Sequence, residues 1–186
     1  MRVLGIDPGL GRTGVAVVDG SPGALRLVHA ARLDTLPQTS EPARLANLDG
    51  LVTDVLREFA PDVAAVELLF FSTNRRTAMR VAEARGVILC AVARSGLHIA
   101  EYTPTQVKDA VCGYGAARKA QVQRMTQRLL SVDSSEDDVA DACAVAVCHH
   151  HRARLGALTT RRRAPAATPL DRAVARARAA LHAVSR

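Results

Sequence analysis

The chain has 186 residues, 48% of them hydrophobic, enough for one domain with its own core, which excludes a small scaffold held by disulfides or a structural metal. Its four cysteines, Cys90, Cys112, Cys143 and Cys148, show no Cys-x-x-Cys spacing, and no apolar run reaches the roughly 18 residues of a membrane span. That points to a reduced, cytoplasmic protein with no membrane partner, while 25 Lys and Arg against 18 Asp and Glu, net +7, call for an anionic partner.

The charge is not spread evenly. Residues 152–186 hold nine arginines and one acid, Asp171, for +8, whereas residues 1–151 sum to −1. This divides the chain into a folded body over 1–156 and an Arg-rich basic tail over 157–186, expected to stay flexible until bound because it has few large apolar side chains to bury. Within the body, residues 1–70 sum to −3, 71–130 to +7 and 131–151 to −5, so a basic middle lies between acidic ends.

In chain order, Val and Ile content predicts strands over 2–6 and 13–19 joined as a hairpin by the turn residues of PGLGR, and a third strand over 26–33. Leu45, Leu48, Val52, Val55 and Leu56 recur at helical spacing, predicting a helix over 42–59. A short strand over 63–67 ends in a carboxylate, a helix follows over 75–94, and a strand over 98–102 leads to Thr103-Pro104, which caps a helix to about 111. Helices over 118–130 and 136–154 complete the chain, with Gly156 as the expected C-cap. Strands first and then alternating helices and strands predict an α/β fold with a mixed central sheet and helices on both faces.

Four carboxylates stand where carboxylates are costly. Asp7 follows the apolar run Val3, Leu4, Ile6, and Glu67 ends the run Val63 to Val66. Asp138 and Asp141, three apart, share one face of a helix that is otherwise apolar to Cys148. Buried acids need a cation. Hard Mg²⁺ or Mn²⁺ takes oxygen ligands, and two such ions roughly 4 Å apart serve in-line phosphoryl displacement, so the quartet points to phosphodiester hydrolysis.

The basic middle offers a surface for a polyanion: Arg75, Arg76 and Arg80 after the Glu67 strand, then Arg118, Lys119, Arg124 and Arg128 after the Gly113-Tyr114-Gly115 break. Lys108 and Lys119 are the only lysines in an arginine-using chain. Phe70 and Phe71 follow Glu67 directly, and either ring could stack on an opened base. His149, His150 and His151 point in three directions if helical and are read as structural, favoured near a helix C-terminus.

IDPGLGRTGVAVV at 6–18, VELLF at 66–70, TPTQVKDAVCGYGAARKAQV at 103–122 and DDVADACAVAV at 137–147 together resemble the RuvC family of Holliday junction resolvases, in order over about 150 residues. The resemblance implies a ribonuclease-H-like fold, a homodimer, and an endonuclease using two Mg²⁺ or Mn²⁺ ions to nick opposed strands of a four-way DNA junction in recombination and repair. It implies Asp7, Glu67, Asp138 and Asp141 as metal-binding catalytic acids, Lys108 and Lys119 as basic residues near the scissile phosphate, and Phe70 as the aromatic probing the junction centre. A branch-migration complex, a Holliday-junction-binding protein with a ring ATPase motor, is the implied partner. Asp7, Gly9 and Gly14 also resemble the first phosphate loop of actin-like kinases, but 186 residues are too few for that fold's two halves. A non-catalytic junction-binding protein would not need the acid quartet.

Overall fold

The computed structural model describes residues 1–68, 75–131 and 137–160, with the side chains of all but 75, 76 and 154–160. The chain divides into two units, Met1–Ala153 and Arg154–Arg186. Among its described residues the first contains five strands, β1 (Arg2–Asp7), β2 (Arg12–Ser21), β3 (Ala24–Asp34), β4 (Val63–Glu67) and β5 (His98–Tyr102). Helices α1 (Glu41–Phe59), α2 (Arg75–Arg94), α3 (Pro104–Cys112) and α4 (Lys119–Leu130) follow the expected order, and α5 (Asp137–Thr160) is the last described element.

The strands form one mixed sheet in the order β3-β2-β1-β4-β5. β1 is antiparallel to β2 and parallel to β4, so the first and fourth strands, both ending in acids, lie side by side at the centre. The β1–β2 turn is tied by the buried Thr13 hydroxyl, which donates to the Gly9 carbonyl at 2.7 Å. Asp7 is therefore the last ladder residue of β1, opposite Gly14, and not the first residue of a turn.

Because strand side chains alternate between faces, each central strand feeds two cores. Leu4, Ile6, Val15, Val17, Ala64 and Val66 pack with Leu48 and Val52 of α1 and Ile88 and Val92 of α2. Val3, Ala16, Val18, Val63 and Ala65 pack with α3, α4 and α5. Asp7 and Glu67 share the parity of Val3 and Val63, and so belong to the α5 face.

Local signals explain most boundaries. Thr103 and Gln106 form the capping box that opens α3, and Gly113, at φ 84°, closes it in the left-handed conformation. α5 departs from expectation: it runs through Gly156 to Thr160, so Gly156 is not its cap. A single glycine costs a helix only about 1 kcal/mol against alanine, which good helix formers on either side offset. The three histidines are accordingly mid-helix, and the C-terminal dipole does not explain them. They are structural for another reason: His150 Nε2 lies 3.0 Å from the Val18 carbonyl, His151 Nδ1 2.8 Å from that of Ala110, and His149 Nδ1 2.8 Å from the Tyr102 hydroxyl.

Candidate active site

Two close approaches set the position of α5. A Cβ on Gly5 would fall 2.2 Å from the Ala142 carbonyl oxygen, and one on Gly14 would fall 1.9 Å from that of Asp138. Only glycine lets the helix backbone lie directly on β1 and β2. Since Gly14 is the ladder partner of Asp7, the contact seats the first turn of α5 beside the end of β1.

The four acids therefore meet on one face of the sheet. Asp7 and Glu67 share a side-chain hydrogen bond, and Asp138 and Asp141 are close enough to bear on Asp7 through charge. Burial, then the charges of Glu67, Asp141 and Asp138, push the Asp7 carboxyl up to about 8. Burial and then Asp141 raise Glu67 to about 7, against the hydrogen bond from Asp7 and the charges of Lys108 and Lys119. Burial also raises Asp141, in spite of Lys119.

Both lysines reach this cluster. Glu67, Asp141, Lys108 and Lys119, with Val107 and Val122, line a cleft of about 220 Å³. Lys119 Nζ stands 2.9 Å from Asp141 Oδ2 and 3.5 Å from Asp137 Oδ2. Burial works against its charge, but the hydrogen bond and charge of Asp141, with those of Asp137, hold it above the usual lysine range.

The donor set suits a hard divalent cation. It is all carboxylate oxygen, and its acids repel one another in a half-buried site where a cation would offset the cost. Among the described residues, no group of three or more His, Cys, Asp or Glu is already gathered as a coordination sphere, and Asp141 is drawn to Lys119. Metal entry would have to turn Asp141 from the ammonium.

The other expected contacts are less concentrated. Arg80 is paired with Glu41 at 3.1 Å, which ties α2 to α1. Arg118 is exposed immediately before α4, and Arg124 and Arg128 line a separate hollow with Tyr114 and Cys112. Arg75 and Arg76 open α2, but their side chains, like Phe70 and Phe71, lie outside the described residues. Sequence reasoning noted Gly14 only for its likeness to a phosphate loop, not as the seat of α5, and passed over Asp137. A glycine inside a Val-rich strand is a signal of close approach that could have exposed the first; nothing local distinguishes Asp137 from any acid in a first helical turn.

A central sheet of this order, with acids at the ends of its two inner parallel strands and on the helix laid across them, defines a ribonuclease-H-like enzyme of the nuclease class. The family model for crossover junction endodeoxyribonuclease RuvC matches residues 3–149. The RuvC of Syntrophomonas wolfei is 45% identical over 157 residues, covering 83% of this chain and 91% of that protein. That of Bordetella parapertussis is 49% identical over 152 residues, covering 81% and 84%. A solved structure of Thermus thermophilus RuvC in complex with Holliday junction substrate matches with a TM-score of 0.80 and 35% identity, over 84% of this chain and 96% of that one. The chain belongs to the RuvC family of crossover junction endodeoxyribonucleases, which are metal-dependent. No described helix is long and apolar enough to cross a membrane.

Proposed function

We propose that this protein resolves Holliday junctions by paired, symmetric nicks, with Asp7, Glu67, Asp138 and Asp141 holding two Mg²⁺ or Mn²⁺ ions. The observation that carries the reading is the convergence of four acids from three elements on one sheet face beside two lysines. Bound metal would supply activation of water and stabilisation of the leaving oxygen. Asp7 and Glu67, on rigid central strands, orient the site from below; Asp138 and Asp141 close it from α5. Lys108 and Lys119 bring positive charge to the scissile phosphate, offsetting the repulsion between DNA and the acids. Phe70, with Phe71 beside it, is assigned to the bases at the junction centre, and Arg75, Arg76, Arg80 and Arg118 to phosphates.

Paired nicks require two sites, which a homodimer supplies. The outer side of α2 supports it: Met79 is 65% exposed, and Ala82, Gly86, Cys90 and Ala93 are exposed along the same helix. Family membership supports a branch-migration complex as partner, in homologous recombination and DNA repair in the cytoplasm. On a synthetic mobile four-way junction, the wild-type protein is expected to nick opposed strands with Mg²⁺ or Mn²⁺. Failure to cut with either ion, or equal cutting of linear duplex, would overturn the reading.

We assign the nuclease to residues 1–156 and additional, sequence-independent affinity to 157–186, which carry seven of the arginines. Deleting 157–186 is expected to weaken junction binding and to flatten the plot of log affinity against log salt by about 2 to 4 in slope. The cut positions should not move; shifted cuts would show that the tail places the DNA.

A further inference from the structure

Asp137 precedes a proposed metal ligand in sequence, yet its own side chain is 68% exposed. Its carboxylate is turned to α4: Oδ1 accepts from Gln123 Nε2 at 2.7 Å, and Oδ2 lies 3.5 Å from Lys119 Nζ. Lys119 and Gln123 are four residues apart, one turn along a single helix face. Lys119 is thus shared between an acid inside the site and an acid outside it, the outside acid being itself held by a neighbour on the lysine's own helix.

This arrangement matters because Asp141 has two claimants. Its Oδ2 meets Lys119 at 2.9 Å, and the same carboxylate would serve a divalent cation. An ion bound there repels the ammonium, and a lysine with four rotatable carbons and no second anchor would swing into solvent. We propose that Asp137 is a positioning residue that retains Lys119 at the mouth of the site when Asp141 turns to metal. The inference rests on the reading of the acids as a metal site and adds to it a residue that acts only through Lys119.

The composition makes the test direct. Lys108 and Lys119 are the only lysines, so a full-length chain carrying ¹⁵N-labelled lysine has two side-chain ammonium resonances, one of them an internal control. Without DNA, Mg²⁺ titrated into the wild-type protein should leave the Lys119 resonance sharp. In Asp137→Asn, Mg²⁺ should speed its hydrogen exchange with solvent by about 5-fold or more, as for an ammonium that has lost its partner. Lys108 should respond alike in both proteins, and Asp137→Glu should restore the wild-type behaviour. An equal response of Lys119 in wild type and Asp137→Asn would overturn the proposal.

Junction cutting supplies the second readout. At saturating Mg²⁺, Asp137→Asn should lower kcat about 3- to 5-fold with KM little changed, the modest scale expected of an exposed pair. In a Lys119→Ala background the same substitution should cost nothing further, since the effect runs through the lysine. A further loss in that background would overturn the proposal. A wild-type protein that binds Mg²⁺ but cuts no junction would instead strike the proposed function, while the resonances would still decide the role of Asp137.

Discussion

Asn in place of Asp7 is expected to give a protein that cannot cut a junction and that, free of metal, is more stable than the wild type at pH 8. The reason is the environment of the carboxyl. Burial and three neighbouring acids hold Asp7 up at about 8, against 3.8 for an unperturbed group. A carboxyl raised on folding binds more protons in the native than in the unfolded state, so stability falls as pH rises from about 4 toward 8. Glu67, raised to about 7, acts in the same direction. Above pH 8 the wild type carries the full strain of ionised acids facing one another.

Asn removes one charge, keeps the shape, and still donates from its amide to Glu67. Each tenfold change in proton affinity corresponds to about 1.4 kcal/mol, and with allowance for charge shared across the pair the gain at pH 8 is placed at about 1 to 3 kcal/mol. Denaturant unfolding in chelator at pH 5.5 and 8 measures it: the wild type should lose stability between the two, the variant much less. Comparing the proteins at one pH cancels the histidines, which act oppositely. Burial lowers His149 to about 4 and lowers His150, so their contribution is lost as pH falls below about 6.5. Mg²⁺ should reverse the ranking by stabilising the wild type more than the variant. A variant less stable than the wild type at pH 8 would show that the four acids do not oppose one another as described; full cutting by the variant would remove Asp7 from the catalytic set.

Ala in place of Gly14 is the second substitution with a large expected effect, and it alters no proposed ligand's side chain. The added Cβ would fall 1.9 Å from the Asp138 carbonyl oxygen and 2.7 Å from its carbonyl carbon. Both are backbone, so no side-chain rotation relieves the clash, and the start of α5 must lift away from β2. Overpacking of this kind costs about 1 to 3 kcal/mol, and a displacement of about 1 Å in reacting groups can cost about 100-fold in rate. Gly14→Ala should therefore lose cutting by about 100-fold while metal-free junction binding, which depends on phosphate contacts, changes far less. Gly50→Ala is the control: nothing lies within 4 Å of its Cβ, and an exposed helical glycine gains about 0.5 to 1 kcal/mol on becoming alanine. Wild-type cutting by Gly14→Ala would mean that the seat of α5 on the sheet does not set the acids.

The first of these substitutions falls where the sequence was legible, the second where it was not. Apolar runs ending in Asp7 and Glu67 marked two buried strands with acids at their ends, and Asp141 stood out as a charge on a helix with no solvent face. The order of elements and the mixed sheet followed from Val/Ile runs, turn residues and helical spacing, all local signals. Gly156 misled because a glycine near an expected helix end reads as a cap, whereas here the helix continues to Thr160.

What residues 1–151 determined by themselves was which side chains are costly to bury and on which face of its own element each one stands, because alternation along a strand and spacing along a helix are properties of neighbouring residues. The partners were decided only by tertiary structure. That Gly14 admits the Asp138 backbone, that Asp7 meets Glu67 across paired strands, and that Lys119 divides itself between Asp141 and Asp137 are contacts between segments far apart in the chain. Periodicity carries no information about such contacts. They exist because α5 buries itself against one of the sheet's two apolar faces, the face to which Asp7 and Glu67 belong, and that burial brings the acids into one place.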